Sequence, residues 1–391
     1  MALEKSPGLI CRAAPLHFSL SVALELYMVN ELKKRNVVID IAKGISIILV
    51  VIGHSPVLVR MIPLNNFLTS FRLPFFFFVS GVFFNYSKPF GRVLADKADA
   101  LLKPYLVTLL LYGIIEVARH QADPGGYLFG ILYGTSHLLP LRWRPLWFLP
   151  HLFSVILFSW VFVRITQIRR RTLYARILLL FGLLGAGVLI LHPATAFPIR
   201  ILAHSYREAG LPLSIDLVPL TGFYFLSGFL LRDFLLQFSI RREILILAVA
   251  IVAVIQYSTR ASMDLNLRRY DNLFLSTVNA FAMIYLVLSL AAVSARIRLV
   301  RPALSRVGSK SLFVLIFHFI IMQHTAHRLQ GANPALSVPA GILAILAGVA
   351  LPVLFGEFVS RNTWLSLMFL PFKANPWILK KTTGAPREES G

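Results

Sequence analysis

Ten apolar runs of about twenty residues each constrain this chain more than any other feature of its sequence. Runs of this length match the thickness of a bilayer when they form helices. Only 14% of the residues are charged, whereas soluble domains usually have about a quarter. We therefore predict an all-α fold, a polytopic membrane helical bundle with about ten transmembrane helices. The predicted spans are 37–58, 66–86, 101–118, 146–163, 174–191, 217–236, 243–258, 273–295, 311–329 and 338–358.

The distribution of basic residues predicts the orientation of the bundle. The net charge is +22, and the basic residues lie mostly in short clusters between the apolar runs. The connections on one side hold more than twice as many Lys and Arg as those on the other side. The positive-inside rule then places both termini in the cytoplasm. In a soluble protein this charge would suggest nucleic acid, but clusters of this kind are typical of cytoplasmic loops, so we expect no nucleic-acid partner.

The chain divides into three predicted parts. Residues 1–30 are an N-terminal extension, 31–360 the transmembrane domain, and 361–391 a cytoplasmic C-terminal tail. Either the natural start is Met28, or the extension is an interfacial helix. Cys11 is the single cysteine, so no intrachain disulfide is possible. No spacing of His, Cys, Asp and Glu is typical of metal ligands, and we expect no metal site.

The first predicted span contains three ionisable side chains, Asp40, Lys43 and His54. An ionisable group inside a bilayer costs several kcal/mol and is a functional candidate for that reason. Lys43 and His54 are 11 residues apart, which places them on one face of a helix and about 16 Å apart along its axis. Asp40 lies one turn before Lys43, and the two form either a structural ion pair or part of a ligand site.

Arg72 lies in the second predicted span, which a short connection makes an antiparallel neighbour of the first. We therefore expect His54 and Arg72 to share one layer in the outer half of the membrane. Arg72 then either serves a site or clamps backbone carbonyl groups. Trp147 is expected near the same layer, although by composition alone a tryptophan at this position is more often an interfacial anchor. His318 is expected in the inner half, where Lys43 lies.

Other polar and aromatic side chains have simpler structural interpretations. The run Phe75–Phe78 is most simply explained by packing against lipid, and His151 by an interfacial or loop position. The sequence contains no P-loop, no GxGxxG motif after a strand, no HExxH and no GxSxG. These motifs therefore assign the chain to no soluble enzyme class.

Several segments of the chain resemble the acyltransferase 3 family. Lys43 and His54 are similar to that family's first-helix motif, in which a basic residue and a histidine are separated by ten residues. The family has Arg more commonly than Lys at the first position, and Lys43-Gly44 is similar to the fucose 4-O-acetylase-like and exopolysaccharide acetyltransferase branch. Arg72 lies in a segment similar to the second-helix motif, where His is frequent. The similar segments are 35–45, 50–55, 71–81, 146–149, 225–232 and 308–312, with His318.

The resemblance implies transfer of an acyl group to a hydroxyl of an envelope or exported glycan, at the cell inner membrane. The implied donor substrate is an acyl-CoA, usually acetyl-CoA, and no bound cofactor is expected. The implied acceptor is a glycan or a lipid-linked oligosaccharide, such as an O-antigen or exopolysaccharide sugar. Membrane lipids are the remaining expected partners.

A sugar hydroxyl is a poor nucleophile at neutral pH, and a histidine can accept its proton as the new bond forms. We assign this catalytic role to His54. Arg72 is the second predicted catalytic residue, because it can stabilise an oxyanion or orient a reacting group. The predicted substrate-binding residues are Lys43, Asp40, Trp147 and His318.

Two other classes of function remain open at this point. A transporter or glycan flippase also needs charged side chains inside the membrane, although it is expected to have two related halves, and the sequence has no such repeat. A non-catalytic membrane scaffold would make the alignment of Lys43 with His54 accidental. The choice between acetyl and succinyl donors, and the formation of an acyl-histidine intermediate, are not decided by the sequence.

Overall fold

A computed structural model of the chain describes residues 36–55, 62–119, 123–196, 199–201, 204–206, 210–259, 263–330 and 337–374. The predicted extension 1–30 lies outside the described residues. Most of the described chain is helical. The α-helices are α1 (Val37–Gly53), α2 (Ile62–Val82), α3 (Phe90–Lys97), α4 (Lys103–Ala118), α5 (Pro124–Tyr133), α6 (Phe148–Thr166), α7 (Leu173–Ala196), α8 (Val218–Leu230), α9 (Arg232–Leu236), α10 (Arg242–Ser258), α11 (Leu273–Ser294), α12 (Val300–Ser309), α13 (Ser311–Gln330), α14 (Ser337–Arg361) and α15 (Thr363–Phe369).

Seven helical stretches within the described residues are long and apolar enough to cross a membrane. They contain α4, α6, α7, α8, α11, α13 and α14, each at a predicted span. The other three predicted spans are also helices, α1 with 17 residues, α2 with 21 and α10 with 17. The all-α, polytopic prediction is therefore confirmed, and the number of ten spans stays a prediction.

Helix α8 lies at the centre of the bundle. Its residues are apolar on all sides, as expected for a helix that protein surrounds completely. The helices α2, α6 and α7 all pack against it. By contrast, few of the described residues of α7 and α10 are buried, so these two helices have broad apolar surfaces for lipid.

The prediction that the Phe75–Phe78 run faces lipid is wrong for three of its four members. Phe75, Phe77 and Phe78 are at most 2% exposed. The reason is that α2 is packed between α8 and α11, so consecutive positions on it meet protein. The Phe78 ring, for example, meets the Phe281 ring edge-on with centroids 5.9 Å apart.

Two glycines bring α2 and α8 into backbone contact. A Cβ atom on Gly81 would collide with the carbonyl oxygen of Phe225, and a Cβ on Gly228 with that of Phe78. Without a hydrophobic effect between apolar helices in lipid, close van der Waals packing of this kind is a main source of helix association. The crossing therefore fixes α2, and with it Arg72, against the central helix.

The first part of the predicted tail is folded rather than extended. Helix α15 packs against α4, and the Lys103 ammonium donates to the carbonyl oxygen of Leu370 at 2.5 Å. Lys373 forms an ion pair with Asp96 of α3, with 2.6 Å between Nζ and Oδ1. These contacts join the residues after α14 to the start of the third predicted span.

Short hairpins and a 3₁₀ helix lie between the long helices. The strands found among the described residues form two antiparallel hairpins. They are β1 (Ile199–Ile201) with β2 (His204–Tyr206), where Ile199 lies opposite Tyr206, and β3 (Met263–Asp264) with β4 (Arg269–Tyr270), where Met263 lies opposite Tyr270. Strand β3 packs on α2, and a 3₁₀ helix at Leu141–Trp147 packs on α13. The β3–β4 hairpin and this 3₁₀ helix lie over the end of the bundle at which α1 stops.

The glycine crossing predicts a stability effect. Gly228→Ala should lower the thermal unfolding midpoint in detergent, because the added methyl group must displace the backbone of α2, at a cost of about 1–3 kcal/mol. Gly182→Ala in α7 is the matched control, since a Cβ there meets no atom within 4 Å and Ala favours a helix over Gly. Unfolding followed by size-exclusion chromatography after heating measures both midpoints. A Gly228→Ala midpoint equal to that of the wild type contradicts the crossing.

Candidate active site

A cavity of about 520 Å³ lies at the end of the bundle where α1 stops. Its walls come from the end of α1, the first half of α2, the 3₁₀ helix Leu141–Trp147, the β3–β4 hairpin and α13. Three of the predicted site residues, His54, Arg72 and Trp147, line this cavity. The fold thus brings together side chains from three predicted spans.

His54 directly follows the last residue of α1. Its backbone N–H donates to the carbonyl oxygens of Val50 and Val51, at 3.2 and 3.1 Å. Its ring Nδ1 lies 2.9 Å from the Val50 oxygen. Because a carbonyl oxygen only accepts, Nδ1 carries the proton in this bond and Nε2 carries the lone pair of the neutral ring. His54 therefore brings an imidazole that can accept a proton to the cavity wall.

Arg72 of α2 bonds to the same turn of α1. Its Nη1 donates to the carbonyl oxygens of Leu49 and Val50, at 3.2 and 3.5 Å. The guanidinium occupies the space beside Gly53, where a Cβ would overlap it. The clamp on backbone carbonyls is thus present, and it places a cation at the negative end of a helix dipole. Arg72 is 7% exposed and also lines the cavity. Its bonds to the backbone carbonyl groups therefore hold the side chain at the candidate site.

His318 lies beside His54, and its predicted position in the inner half with Lys43 is wrong. His318 Nε2 is 3.4 Å from His54 Nδ1, and the ring centroids are 5.2 Å apart. The backbones of α1 and α12 meet at Gly44 and Gly308, each ten residues before its histidine. Helix α13 follows α12 after a single residue. From the glycine contact, each chain therefore rises by about 1.5 Å per residue over ten residues, which brings His54 and His318 to the same level.

His318 holds the His54 ring in one orientation. Its own Nδ1 lies 2.8 and 3.0 Å from the carbonyl oxygens of Val314 and Leu315, so Nδ1 carries the proton and Nε2 is left as an acceptor. The Nδ1–H of His54 is then shared between Val50 and His318. Phe319 packs edge-on against the His54 ring, with centroids 5.5 Å apart.

Trp147 is enclosed by protein and is 5% exposed. Its ring stacks on that of His151, with centroids 5.4 Å apart and an angle of 25° between the planes. His151 is completely buried, with Nε2 3.1 Å from Thr221 Oγ1 and Nδ1 3.3 Å from the Leu213 carbonyl oxygen. His151 therefore lies within α6 and not in a loop, and it supports the cavity wall behind Trp147.

Lys43 and Asp40 belong to the opposite half of α1. Lys43 is half-buried, and its Nζ lies 4.2 Å from the centroid of the Phe83 ring, a cation–π distance. Asp40 is 7% exposed. Of the residues that the structure describes, the cavity lining includes neither of them, nor His318. The predicted role of Lys43 and Asp40 in substrate binding therefore requires a ligand that extends about three helical turns from His54.

The β3–β4 hairpin adds cavity residues that sequence reasoning missed. Asp264 and Asn266 both line the cavity. They lie in a connection between two predicted spans, where polar residues are common and carry no motif. Only the fold, which packs β3 on α2, brings them to the His54 side of the bundle.

A buried ion pair anchors this hairpin. Arg268 Nε lies 2.7 Å from Asp216 Oδ2, and the two side chains are 2% and 0% exposed. Arg268 Nη2 donates to Ser214 Oγ at 3.3 Å, and the Leu211 N–H donates to Asp216 Oδ1 at 2.9 Å. Arg268 has a φ of 55°, a region disfavoured for residues other than glycine. The pair therefore holds a strained turn in place over the cavity.

The chemistry available in the cavity is that of a base beside a cation. An imidazole lone pair at His54 suits proton transfer, and the Arg72 guanidinium suits stabilisation of a developing negative charge. Within the described ranges, no three His, Cys, Asp or Glu side chains are grouped so that they could hold a metal ion.

Comparison with protein families gives a match over most of the chain. The acyltransferase 3 family model, described as an acyltransferase domain, matches residues 36–357. The matched range begins just before α1, ends within α14 and contains every residue of the cavity. No curated protein and no solved structure matches the chain significantly.

The hairpin anchor predicts a large effect from removing one charge. Asp216→Ala leaves the Arg268 guanidinium buried without its partner, and we expect a loss of about 3 kcal/mol or more. Asp271→Ala is the control, because it removes the Arg269–Asp271 pair, whose side chains are 51% and 37% exposed, and such pairs contribute about 1 kcal/mol or less. Thermal unfolding midpoints in detergent measure both. Equal losses for the two variants contradict the anchoring role.

Proposed function

Because this chain belongs to the acyltransferase 3 family and is a multi-pass membrane protein, we propose that it transfers an acetyl group from acetyl-CoA to a hydroxyl of an envelope or exported glycan. The observation that carries this proposal is the His54 imidazole, held in the cavity wall with its proton on Nδ1 and Arg72 beside it. That arrangement supplies what O-acylation by a thioester requires.

The reaction begins with the acceptor hydroxyl. Its oxygen attacks the carbonyl carbon of the thioester, and His54 Nε2 accepts the hydroxyl proton as the carbon–oxygen bond forms. When the carbon–sulfur bond breaks, the same proton passes to the departing CoA sulfur. The products are the ester and CoA with a free thiol, and His54 returns to its starting state.

Arg72 acts on the charge that develops during attack. The thioester carbonyl oxygen becomes negative in the tetrahedral intermediate, and a fixed guanidinium in a site with little water stabilises it strongly. Because Arg stays protonated, Arg72 serves as this electrostatic group and not as an acid or base. Its bonds to Leu49 and Val50 fix the guanidinium before substrate arrives.

The donor and the acceptor approach the site from opposite ends in this proposal. With both termini in the cytoplasm, the cavity opens on the extracytoplasmic side of the inner membrane and Lys43 lies nearer the cytoplasm. The long pantetheine arm of CoA connects these two depths, with the phosphates of CoA near the Lys43 ammonium and the thioester near His54. Trp147 shapes the acceptor side. We assign His318 to position His54 instead of touching substrate, because His318 is completely buried behind it.

The role of His54 predicts a selective loss of activity. His54→Ala should reduce transfer of labelled acetyl from acetyl-CoA to the glycan by at least about 100-fold, because the hydroxyl loses its proton acceptor. Purified protein in lipid nanodiscs, incubated with glycan extract, gives the rate. His324→Ala is the matched control: His324 is exposed and its ring bonds to a carbonyl of its own helix, at Ile320, as the His54 ring does at Val50.

The same assay separates the proposal from its rivals. His54→Ala must accumulate in the membrane at the wild-type level, so that loss of protein does not explain loss of transfer. Transfer by His54→Ala at the wild-type rate contradicts the assignment of the base. A wild-type protein that moves the glycan across vesicle membranes without acetylating it supports the transporter instead.

A further inference from the structure

A second cavity, of about 480 Å³, lies between α7, α8, α10 and α11, and we call it the lateral groove. Its walls come from residues within 180–181, 223–227, 244–251 and 277–285. Among the described residues it shares no lining residue with the cavity that contains His54. Its volume lies within the range of about 300–1,000 Å³ that is typical of small-molecule sites.

The lateral groove opens toward the surrounding lipid. Phe181 of α7 is 50% exposed, and Ile244 and Leu247 of α10 are 38% and 58% exposed, although all three line the groove. The groove therefore lies beside the apolar surfaces that α7 and α10 present to the membrane. A hydrocarbon chain can enter it from the side without crossing a polar barrier.

The polar side chains in the groove wall find their partners within the protein. Ser227 Oγ donates to a carbonyl oxygen of its own helix at 2.7 Å, and Thr277 Oγ1 lies 2.6 Å from the Tyr270 hydroxyl. The Tyr285 hydroxyl accepts from the Arg241 N–H at 2.9 Å and donates to the Arg241 carbonyl oxygen at 3.2 Å. An apolar ligand loses no hydrogen bond against such a wall, whereas water would find few partners.

Arg241 lies at one end of the groove. Its two backbone hydrogen bonds to Tyr285 hold it next to a lining residue, and Ile244, which also lines the groove, follows three residues later. Helix α10 runs from this point toward the β3–β4 hairpin, which lies at the cavity of His54. Arg241 is therefore at the opposite end of the bundle, the end that the distribution of basic residues predicts to face the cytoplasm.

Arg176 of α7 brings a second cation to the same end. It lies four residues before Leu180, a lining residue, so the two belong to one face of the helix. Arg176 Nε donates to the carbonyl oxygen of Arg171 at 2.9 Å, and its Nη2 donates to that of Arg169 at 2.6 Å. These bonds orient the guanidinium, but neutral carbonyl groups leave its positive charge without a counter-ion.

This end of the groove is strongly cationic. The connections 164–176 and 231–243 carry eight arginines and only two acidic residues, and one of these, Asp233, is already paired with Arg169 at 3.6 Å. With respect to the described residues, the Arg241 guanidinium forms neither a hydrogen bond nor an ion pair. Basic groups at the cytoplasmic end of a gap between transmembrane helices are typical of sites for anionic lipid headgroups.

We propose that the lateral groove binds one anionic phospholipid of the cytoplasmic leaflet. One acyl chain occupies the groove, and the headgroup phosphate pairs with the guanidinium groups of Arg241 and Arg176. The α11 wall extends for about 12 Å from Thr277 to Tyr285, which is most of the hydrocarbon depth of one leaflet, about 15 Å. The bound lipid fastens α7 and α10 to the bundle, and its binding does not depend on the proposed acyl transfer.

The test measures binding of defined phospholipids to the full-length protein in detergent, by native mass spectrometry and by the thermal unfolding midpoint. The probes are phosphatidylglycerol and phosphatidylcholine with identical acyl chains. We expect one phosphatidylglycerol to be retained per protein and to raise the midpoint. Phosphatidylcholine should bind at least about tenfold more weakly, because its headgroup has no net charge for the two arginines.

Substitutions separate the charge from the groove. Arg241→Gln should weaken phosphatidylglycerol binding by about fivefold, and the double variant with Arg176→Gln by about tenfold or more, with phosphatidylcholine binding within twofold of wild type. Ala248→Leu places a larger side chain in the groove and should weaken the binding of both lipids. The midpoint without added lipid shows whether each variant has kept its fold.

Arg298→Gln is the matched control. Arg298 is exposed and follows α11 at the same end of the bundle, and among the described residues it does not line the groove. The variant loses the same charge as Arg241→Gln, and its affinity for phosphatidylglycerol should equal that of the wild type.

Several results would overturn the lipid site. Equal binding of the two phospholipids, or unchanged phosphatidylglycerol binding in the double arginine variant, shows that the groove holds only unselected membrane lipid. A midpoint that rises as much with inorganic phosphate alone shows an anion site without a chain. A polyprenyl phosphate that displaces phosphatidylglycerol at a lower concentration assigns the groove to a lipid carrier instead.

Discussion

The carbonyl oxygen of Val50 is the point on which the site depends. In a membrane protein every buried backbone group must find a partner within the protein, because lipid offers none. Helix α1 ends at Gly53, and its last turn is satisfied from outside by the His54 ring and by Arg72 of the neighbouring helix. The contacts that complete the helix end therefore also fix the tautomer of the imidazole and the position of the cation. The hydrogen bonds that stabilise the end of α1 are thus the same ones that orient His54 and Arg72.

Local features of the sequence were enough to predict the bundle and the first two members of the site. Apolar length identified helices at all ten predicted positions, and a short connection made α1 and α2 neighbours. The proximity of His54 and Arg72 follows from these two facts alone, since both side chains lie near that connection. Spacing along a single helix also placed Lys43 about three turns from His54. Each of these inferences uses geometry within one helix or one helical hairpin.

The remaining parts of the site depend on contacts between distant segments. The depth of His318 follows from the meeting of Gly44 and Gly308, which no pattern within α13 reveals. The run Phe75–Phe78 predicts a lipid-facing surface, because apolar side chains suit contact with lipid and contact with protein equally. Only the packing of α8 and α11 against α2 distinguishes these two kinds of contact. Asp264 reaches the cavity because a hairpin folds over it, and that fold is held by an ion pair more than fifty residues apart in sequence.

Carbethoxylation by diethyl pyrocarbonate, mapped by peptide mass spectrometry, tests the central claim most directly. The reagent modifies an imidazole nitrogen that is both unprotonated and accessible. The account predicts that His54 is modified through the cavity, that the completely buried His151 and His318 are not, and that acetyl transfer falls in step with modification of His54. Acetyl-CoA should slow both changes together. Modification of His54 without loss of transfer, or full inactivation while His54 stays unmodified, would contradict the assignment of this imidazole as the base.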